Sequence, residues 1–201
     1  KIYNSATLLS RGEIISRYDK LHLVPFGEFM PWPGLFSHFS FAGLIGNFAP
    51  GEDYTLFNLS QTAAGAQLGA LICFEDVFAK LAREFRQKGA KVLVNMTNDA
   101  WFKDSSEPHQ HLQASVFRAV ENRVSVVRSA NTGVSCFINP WGKILSRVSD
   151  YLGRDVLVEG QAVEDLKIIS LSSFYSVSGD VFVLLCIIAM PLVLIIRRLW
   201  L

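Results

Sequence analysis

Cysteine is scarce in this chain: three in 201 residues, at positions 73, 136 and 186, with no paired spacing. That scarcity excludes a disulfide framework and a cysteine-built zinc site. Charge of either sign in excess is also missing. Nineteen Lys and Arg against eighteen Asp and Glu leave a formal +1, which argues against a nucleic-acid partner held by a basic surface. Residues 29–51 contain no Asp, Glu, Lys or Arg, yet hold five phenylalanines and a tryptophan. Pro31, Pro33, Gly34, Gly43 and Gly46 interrupt this stretch too often for a membrane helix. A long apolar loop of this kind is either a surface for lipid or a partner, or a segment tucked against the core. Neither an internal repeat nor a low-complexity tract is visible, nor is an N-terminal signal sequence. The opening "KIYNSATLLS" already reads as a strand, as in a chain cut from something longer.

What is present is apolar substance: half the residues are hydrophobic, enough for a sizeable core in one domain or a domain with an appendage. The appendage is at the C-terminus. Residues 181–196, "VFVLLCIIAMPLVLII", carry no charge and are followed by Arg197 and Arg198. With the weakly polar residues before it the run reaches about 20, the length a helix needs to cross a hydrocarbon core. A buried core helix is the alternative, although Pro191 is better tolerated in a membrane span. The paired arginines place the C-terminus in the cytoplasm and everything before the helix on the opposite side. The expected division is a domain over 1–175 and a transmembrane helix with a short tail over 176–201.

Before that helix the pattern alternates strands and helices. "SATLLS" and "IISRYDKLHLVP" read as two strands joined at "RGE", and a second pair surrounds "NLSQTAAGAQ". In "GALICFEDVF", residues 69–78, Ala70, Leu71 and Ile72 look like the end of a buried strand. Phe78, Leu81, Ala82 and Phe85 then recur on one helical face, with Gly89 to close it. Cys73 therefore falls between a strand end and a helix start, where the helix N-terminus favours thiolate. A buried cysteine serving as a small hydrophobe is the other reading. "KVLVNM" follows as a buried strand, so a strand–helix–strand crossover with parallel strands is expected. Pro108 suits a helix's first turn, with Leu112, Val116, Ala119 and Val120 as its apolar stripe. Strands at "VSVVRS", "VSCFIN" and "KILSRV" complete an α/β class, the last two joined by the turn "NPWG".

Cysteine-based acyl transfer needs a thiolate, a proton acceptor and a hydrogen-bonding or cationic oxyanion site. Three short segments supply candidates: Lys20 and Glu28 in "YDKLHLVPFGE", Cys73 and Glu75 in "CFED", and Asn98 in "NMTNDAWF". At these residues the chain resembles the nitrilase superfamily, and within it the apolipoprotein N-acyltransferases of bacterial inner membranes. "YDKLHLVPFGEFMP", "GALICFEDVF", "NMTNDAWF", "PHQHLQASVFRAVENRVSVVRSANTGVSCFINPWGKI" and the terminal apolar helix carry the resemblance.

The resemblance implies part of an α-β-β-α sandwich followed by one transmembrane helix. It implies a ping-pong reaction in which a cysteine takes an acyl chain from a phospholipid as a thioester. The chain then passes to the α-amino group of a diacylglyceryl-cysteine at a lipoprotein N-terminus. In that scheme Cys73 is the nucleophile, Lys20 the catalytic lysine and Glu28 an additional essential glutamate. Phe74, Glu75, Asn98 and Trp101 are supporting or substrate-facing. The partners implied are a phospholipid donor, a lipoprotein acceptor and the inner membrane, with the catalytic domain periplasmic; no cofactor and no metal are implied. The family also uses a glutamate and membrane helices upstream of the lysine, so a chain of this extent is expected to be inactive by itself. Phe74 stands where tyrosine is frequent, and Lys103 where glycine is usual after "AWF".

Other features have plainer readings. His109 and His111 in "HQH" have no carboxylate or cysteine partners evident in sequence, so a metal is not expected. His22 reads as structural, and Arg118, Glu121, Arg123 and Arg128 as a solvated or structural charge network. Cys136 and Cys186 lie in apolar segments and read as inert. Two functions compete with acyl transfer: a membrane-tailed amidase, whose thioester water resolves in a small polar pocket, and a non-catalytic membrane-bound interaction module.

Overall fold

The computed structural model describes residues 1–32, 34, 46–59 and 65–199. Strand β1 (Ser5–Ser10) pairs antiparallel with β2 (Glu13–Asp19) in a two-stranded sheet. The strand expected over "IISRYDKLHLVP" stops at Asp19, because the next residue turns its backbone elsewhere. Lys20 N–H donates to Asn4 O at 2.8 Å, and Lys20 O accepts from Gly51 N–H at 2.8 Å. The apolar segment 29–51 lies largely outside the described residues, as do residues 60–64 of the expected hairpin loop.

Six further strands stand in sequential order in one sheet: β3 (Leu56–Leu59), β4 (Ala66–Ile72), β5 (Val92–Asn98), β6 (Ser125–Asn131), β7 (Cys136–Ile138) and β8 (Ile144–Arg147). The central three run parallel, and β3, β7 and β8 extend the sheet antiparallel. Helix α1 (Ala79–Gln87) joins β4 to β5, and α2 (Glu107–Asn122) joins β5 to β6. These are the expected crossovers. Parallel strands need such long returns, and the returning helices cover the sheet.

The buried stripe of α1 is Leu81, Ala82 and Phe85. Gly89, at φ +114, takes the chain out of the helix in a conformation that side chains resist. Phe85 packs over Gly69 of β4, where a Cβ would sit 2.9 Å from the ring. It also meets Tyr18 and Tyr54 edge-on at centroid distances of 5.4 and 5.3 Å. The rings thereby tie the β1–β2 hairpin to the main core.

Helix α2 departs from its expected face. Leu112 and Ala119 are buried as anticipated, but so are His111, Ser115, Arg118 and Asn122. That spacing of four, three and four residues is a polar stripe along one side of the helix. The sheet answers it. On β5 the buried alternation runs Leu93, Asn95, Thr97, and on β6 it runs Val126, Arg128. The interior is therefore apolar at the start of the parallel strands and polar at their carboxyl ends, where sites in open α/β sheets lie.

After β8 the chain forms a short helix, α3 (Phe174–Ser178), docked on the domain. Arg83 Nε donates to Tyr175 O and Ser176 O at 3.1 and 3.2 Å, and Arg83 Nη2 to Val177 O at 2.7 Å. A cation on the last carbonyls of a helix is favourable twice, as donor and as charge. Beyond Gly179 begins α4 (Val181–Leu199), with Pro191 inside it and Arg197 and Arg198 in its last turn. It is long and apolar enough to cross a membrane, and none of the window Val181–Arg198 is buried.

Candidate active site

Strand β4 ends at Ile72, and Cys73–Val77 form a 3-10 turn. Cys73 itself holds φ +54. Left-handed backbone costs a non-glycine residue on the order of 1–2 kcal/mol, and it persists only where surroundings enforce it. The expected helix follows the cysteine, but the expected influence of its N-terminus on the thiol needs correction. Phe78 is extended and α1 starts at Ala79, so the macrodipole of α1, which acts within its first turn, is displaced from the thiol. The side chain is half-buried.

Three side chains enforce the turn. Glu75, fully buried, accepts Ile72 N–H at 2.8 Å, Leu21 N–H at 2.8 Å, His22 N–H at 3.0 Å and the Tyr18 hydroxyl at 2.9 Å. One carboxylate thus joins the residue before the cysteine to the two residues after Lys20. Burial pushes the Glu75 pKa up in spite of these donors, and the buried Tyr18 hydroxyl is pushed up by burial and then by that carboxylate. Asn95 Nδ2 donates to Cys73 O at 3.0 Å. Arg118 Nη1 donates to Asp76 O and Val77 O at 3.2 and 2.9 Å.

Lys20 is 1% exposed, and its Nζ meets Glu28 Oε2 at 2.7 Å. Glu28 also accepts Val24 N–H at 2.8 Å and Asn4 Nδ2 at 2.8 Å. Burial alone raises the Glu28 pKa, but the bonds from Lys20, Val24 and Asn4 win and hold it below the usual carboxylate range. The glutamate therefore stays charged and aims the ammonium.

Behind the turn lies a buried network, so that of the solvated and structural roles expected for Arg118 and Arg128 the structural one holds. Arg128, 2% exposed, donates to Asp76 Oδ2 at 3.0 Å, Asp99 Oδ2 at 3.1 Å and Asn95 Oδ1 at 2.8 Å. His111 bridges the same two carboxylates, Nε2 to Asp76 at 2.8 Å and Nδ1 to Asp99 at 3.0 Å. Ser115 Oγ donates to Asp76 and Thr97 Oγ1 to Asp99. Burial opposes charge on His111, yet the bonds to Asp76 and Asp99 raise its pKa to about 9. Burial likewise opposes charge on Asp99, and His111 and Arg128 still hold its carboxyl low. Gly133 must be glycine here, since a Cβ would lie 2.0 Å from Asp99 Oδ2.

The expectation that "HQH" has no carboxylate partners is wrong for His111. Asp99, Glu107 and His111 even bring potential ligand atoms within 4.8 Å of one another. The donor set is already committed, however. The Arg128 guanidinium occupies Asp99, both ring nitrogens of His111 face carboxylates, and a resident cation opposes a second one. His109 lies apart, 3.6 Å from Asp155. The signal that reveals the network is the polar spacing 111, 115, 118, 122 on a helix facing an arginine in the buried phase of a strand.

Of the supporting residues, Phe74 is 38% exposed with its ring 5.2 Å from His111, beside the thiol. Glu75 is wholly internal, a support for the turn. Asn98 ends β5 and accepts from Ala100 N–H and Asn131 Nδ2. Trp101 stands 85% exposed on the 3-10 turn Ala100–Phe102. Lys103, the residue after "AWF", holds φ 50 and ψ −141, a conformation natural to glycine. His22 stacks on Phe78 at 4.6 Å, in a structural role. Cys136 is buried, and burial pushes its thiol up to about 11.

Known proteins resemble this chain. The carbon-nitrogen hydrolase family model matches residues 1–158. The apolipoprotein N-acyltransferase of Geobacter metallireducens is 43% identical over 190 residues, covering 93% of this chain and 34% of that protein. Apolipoprotein N-acyltransferase 1 of Treponema denticola is 36% identical over 201 residues, covering 94% of this chain and 35% of its own length. The chain therefore spans about a third of the curated relatives it matches. Among solved structures, Saccharomyces cerevisiae Nit3, a member of branch 10 of the nitrilase superfamily, superposes with TM-score 0.51 at 23% identity, over 73% of this chain and 49% of that one. A carbon-nitrogen hydrolase from Helicobacter pylori does so with TM-score 0.53 at 20% identity, over 74% and 53%. These two likenesses extend to the fold. The family model spans well over half of the chain and the relatives match it nearly end to end, so the chain belongs to the carbon-nitrogen hydrolase family.

Proposed function

We propose that this chain carries the nucleophile-bearing part of an apolipoprotein N-acyltransferase, moving an acyl chain from a phospholipid to the N-terminal amine of a diacylglyceryl-cysteine lipoprotein. The observation that carries the reading is the suture made by Glu75. It fixes the strained Cys73 turn to the segment that delivers the buried Lys20–Glu28 pair.

In this mechanism the Cys73 sulfur attacks the ester carbonyl of the phospholipid. The Lys20 ammonium faces the developing oxyanion, and collapse forms the thioester and expels the lysophospholipid. The lipoprotein amine then attacks the thioester carbonyl, the C–S bond breaks as the amide forms, and the departing thiolate takes up the proton that the amine loses. Preorganised charge of this kind is usually the largest single contribution to such catalysis. Glu28, held ionised, keeps the ammonium in place across both half-reactions.

Acyl transfer is favoured over hydrolysis of small amides by the surroundings. Val77, Phe78, Trp101 and Phe102 are exposed near the turn. A cavity of about 390 Å³ beside Lys20 is lined by Leu21, His22, Leu23, Phe29, Phe48 and Pro50. An apolar wall and an apolar terminal helix suit a lipid donor, whereas a small amide needs polar recognition. The helix α4 anchors the domain in the inner membrane, with Arg197 and Arg198 cytoplasmic and Cys73 periplasmic.

The test supplies full-length protein in detergent with radiolabelled phospholipid and a diacylglyceryl-cysteine peptide. Label should pass to the peptide amine. A small amide supplied in a parallel sample tests the alternative: ammonia release from it with no peptide labelling supports the amidase, and turnover of neither substrate supports a non-catalytic role.

A further inference from the structure

The strained conformation of Cys73 needs something to hold its carbonyl, and one side chain does so. Asn95 Nδ2 donates to Cys73 O at 3.0 Å and reaches Leu71 O at 3.5 Å. An amide has two ends, and a free asparagine would present either. Here the choice is made by Arg128, whose Nη1 lies 2.8 Å from Asn95 Oδ1. A guanidinium has only donors, so it takes the amide oxygen and leaves the NH₂ for the backbone carbonyls, which only accept. Arg128 is held in turn by Asp76 and Asp99. Asp76 belongs to the same turn as the cysteine, so the chain of bonds closes on itself: Cys73 carbonyl, Asn95, Arg128, Asp76.

We propose that Asn95, oriented by Arg128, is a positioning residue for the Cys73 thiol. It does not touch substrate. It pins the carbonyl of the left-handed cysteine, and so fixes the direction in which the sulfur projects, while Glu75 pins the opposite side of the turn. The inference rests on Cys73 being the nucleophile of the reaction proposed above, but its readout needs no acyl donor. Ser125, buried at the opposite end of the parallel strands, donates to Lys167 O outside this network, and provides the matched control.

The experiment measures the rate of iodoacetamide alkylation at Cys73, resolved from Cys136 and Cys186 by peptide mass spectrometry, against pH and beside the melting temperature. It uses the full-length protein in detergent. Asn95→Ser removes the amide and both of its bonds, and should slow alkylation by about tenfold, a rate change of about 1.4 kcal/mol. Ser125→Ala should keep the wild-type alkylation rate even where it lowers the melting temperature. Asn95→Asp retains the bond to Arg128 but turns an acceptor toward the Cys73 carbonyl, and should slow alkylation at least as much. Wild-type alkylation in either folded Asn95 variant, or equal slowing in Ser125→Ala at equal loss of melting temperature, would overturn the proposal. If Asn95→Ser does not fold, Asn95→Asp decides by the same comparison. Loss of lipoprotein acylation in the wild-type protein, with its alkylation profile intact, would remove the acyltransferase reading and leave this one standing.

Discussion

Replacing Glu75 with glutamine preserves its shape and takes away one acceptor. In the structure each carboxylate oxygen has work: Oε1 receives Leu21 N–H and His22 N–H, while Oε2 receives Ile72 N–H and lies within reach of the Tyr18 hydroxyl. A glutamine can offer its oxygen to only one of these sides. The better placement keeps the oxygen on Leu21 and His22 and lets the NH₂ donate to Tyr18, which leaves Ile72 N–H facing another donor. One buried donor without a partner costs about 1–3 kcal/mol. The burial that raises the Glu75 pKa works in the other direction, since a neutral amide escapes that penalty. The balance remains destabilising, and at about 2–4 °C per kcal/mol for a chain of this size the melting temperature should fall by about 3–10 °C. The assay is thermal unfolding in detergent, with iodoacetamide alkylation of Cys73 read on the same samples. A Glu75→Gln protein that melts within a degree of wild type and is alkylated at the same rate would refute the suture as the organiser of the site.

Lys20→Ala should slow single-turnover acylation of Cys73 by a hundredfold or more, equivalent to about 3–4 kcal/mol of oxyanion stabilisation; near-normal acylation would show that the lysine is not catalytic. Stability should also follow pH through the buried network. His111 gains its proton affinity on folding, so its contribution is fully present below the unfolded value of about 6.5 and is lost as pH rises through about 9. The charges around it are Asp76, Asp99, Glu107 and Arg128. The shift corresponds to on the order of 3 kcal/mol, and melting curves between pH 6 and 9.5 should lose that slope in His111→Gln. Asp99 behaves oppositely: its folded value is depressed, so its contribution is present above the ordinary aspartate range and fades as pH falls through the lowered value. A wild-type slope that survives intact in His111→Gln would assign the alkaline loss to another group.

The sheet and both crossover helices were legible because their periods are local. Alternation marks β4 to β6, the Phe78–Phe85 face marks α1, and Gly89 and Pro108 punctuate the helices. Lys20, Glu28 and Cys73 were legible through the resemblance of short runs. What the sequence concealed is the set of contacts that span it. Whether Arg128 is solvated or structural stays open in sequence until Asp76 and Asp99, 52 and 29 residues away, are seen to close around it. His111 looked partnerless for the same reason. The 3-10 turn that separates Cys73 from α1 was not legible because such a turn and the first turn of an α-helix share their residue preferences, and only the extended Phe78 divides them. Charged groups in a half-apolar chain are assigned to the surface by default, and here a run of them fills the interior behind the Cys73 turn.

The central claim is that Cys73 is acylated by a phospholipid. Full-length protein mixed with phospholipid vesicles, quenched in acid and digested, should give a hydroxylamine-sensitive acyl adduct on the peptide bearing Cys73. No adduct should form on the buried Cys136, and Cys73→Ser should abolish the signal. An adduct on Cys136, or phospholipid-dependent lipoprotein acylation that persists in Cys73→Ser, would contradict the account.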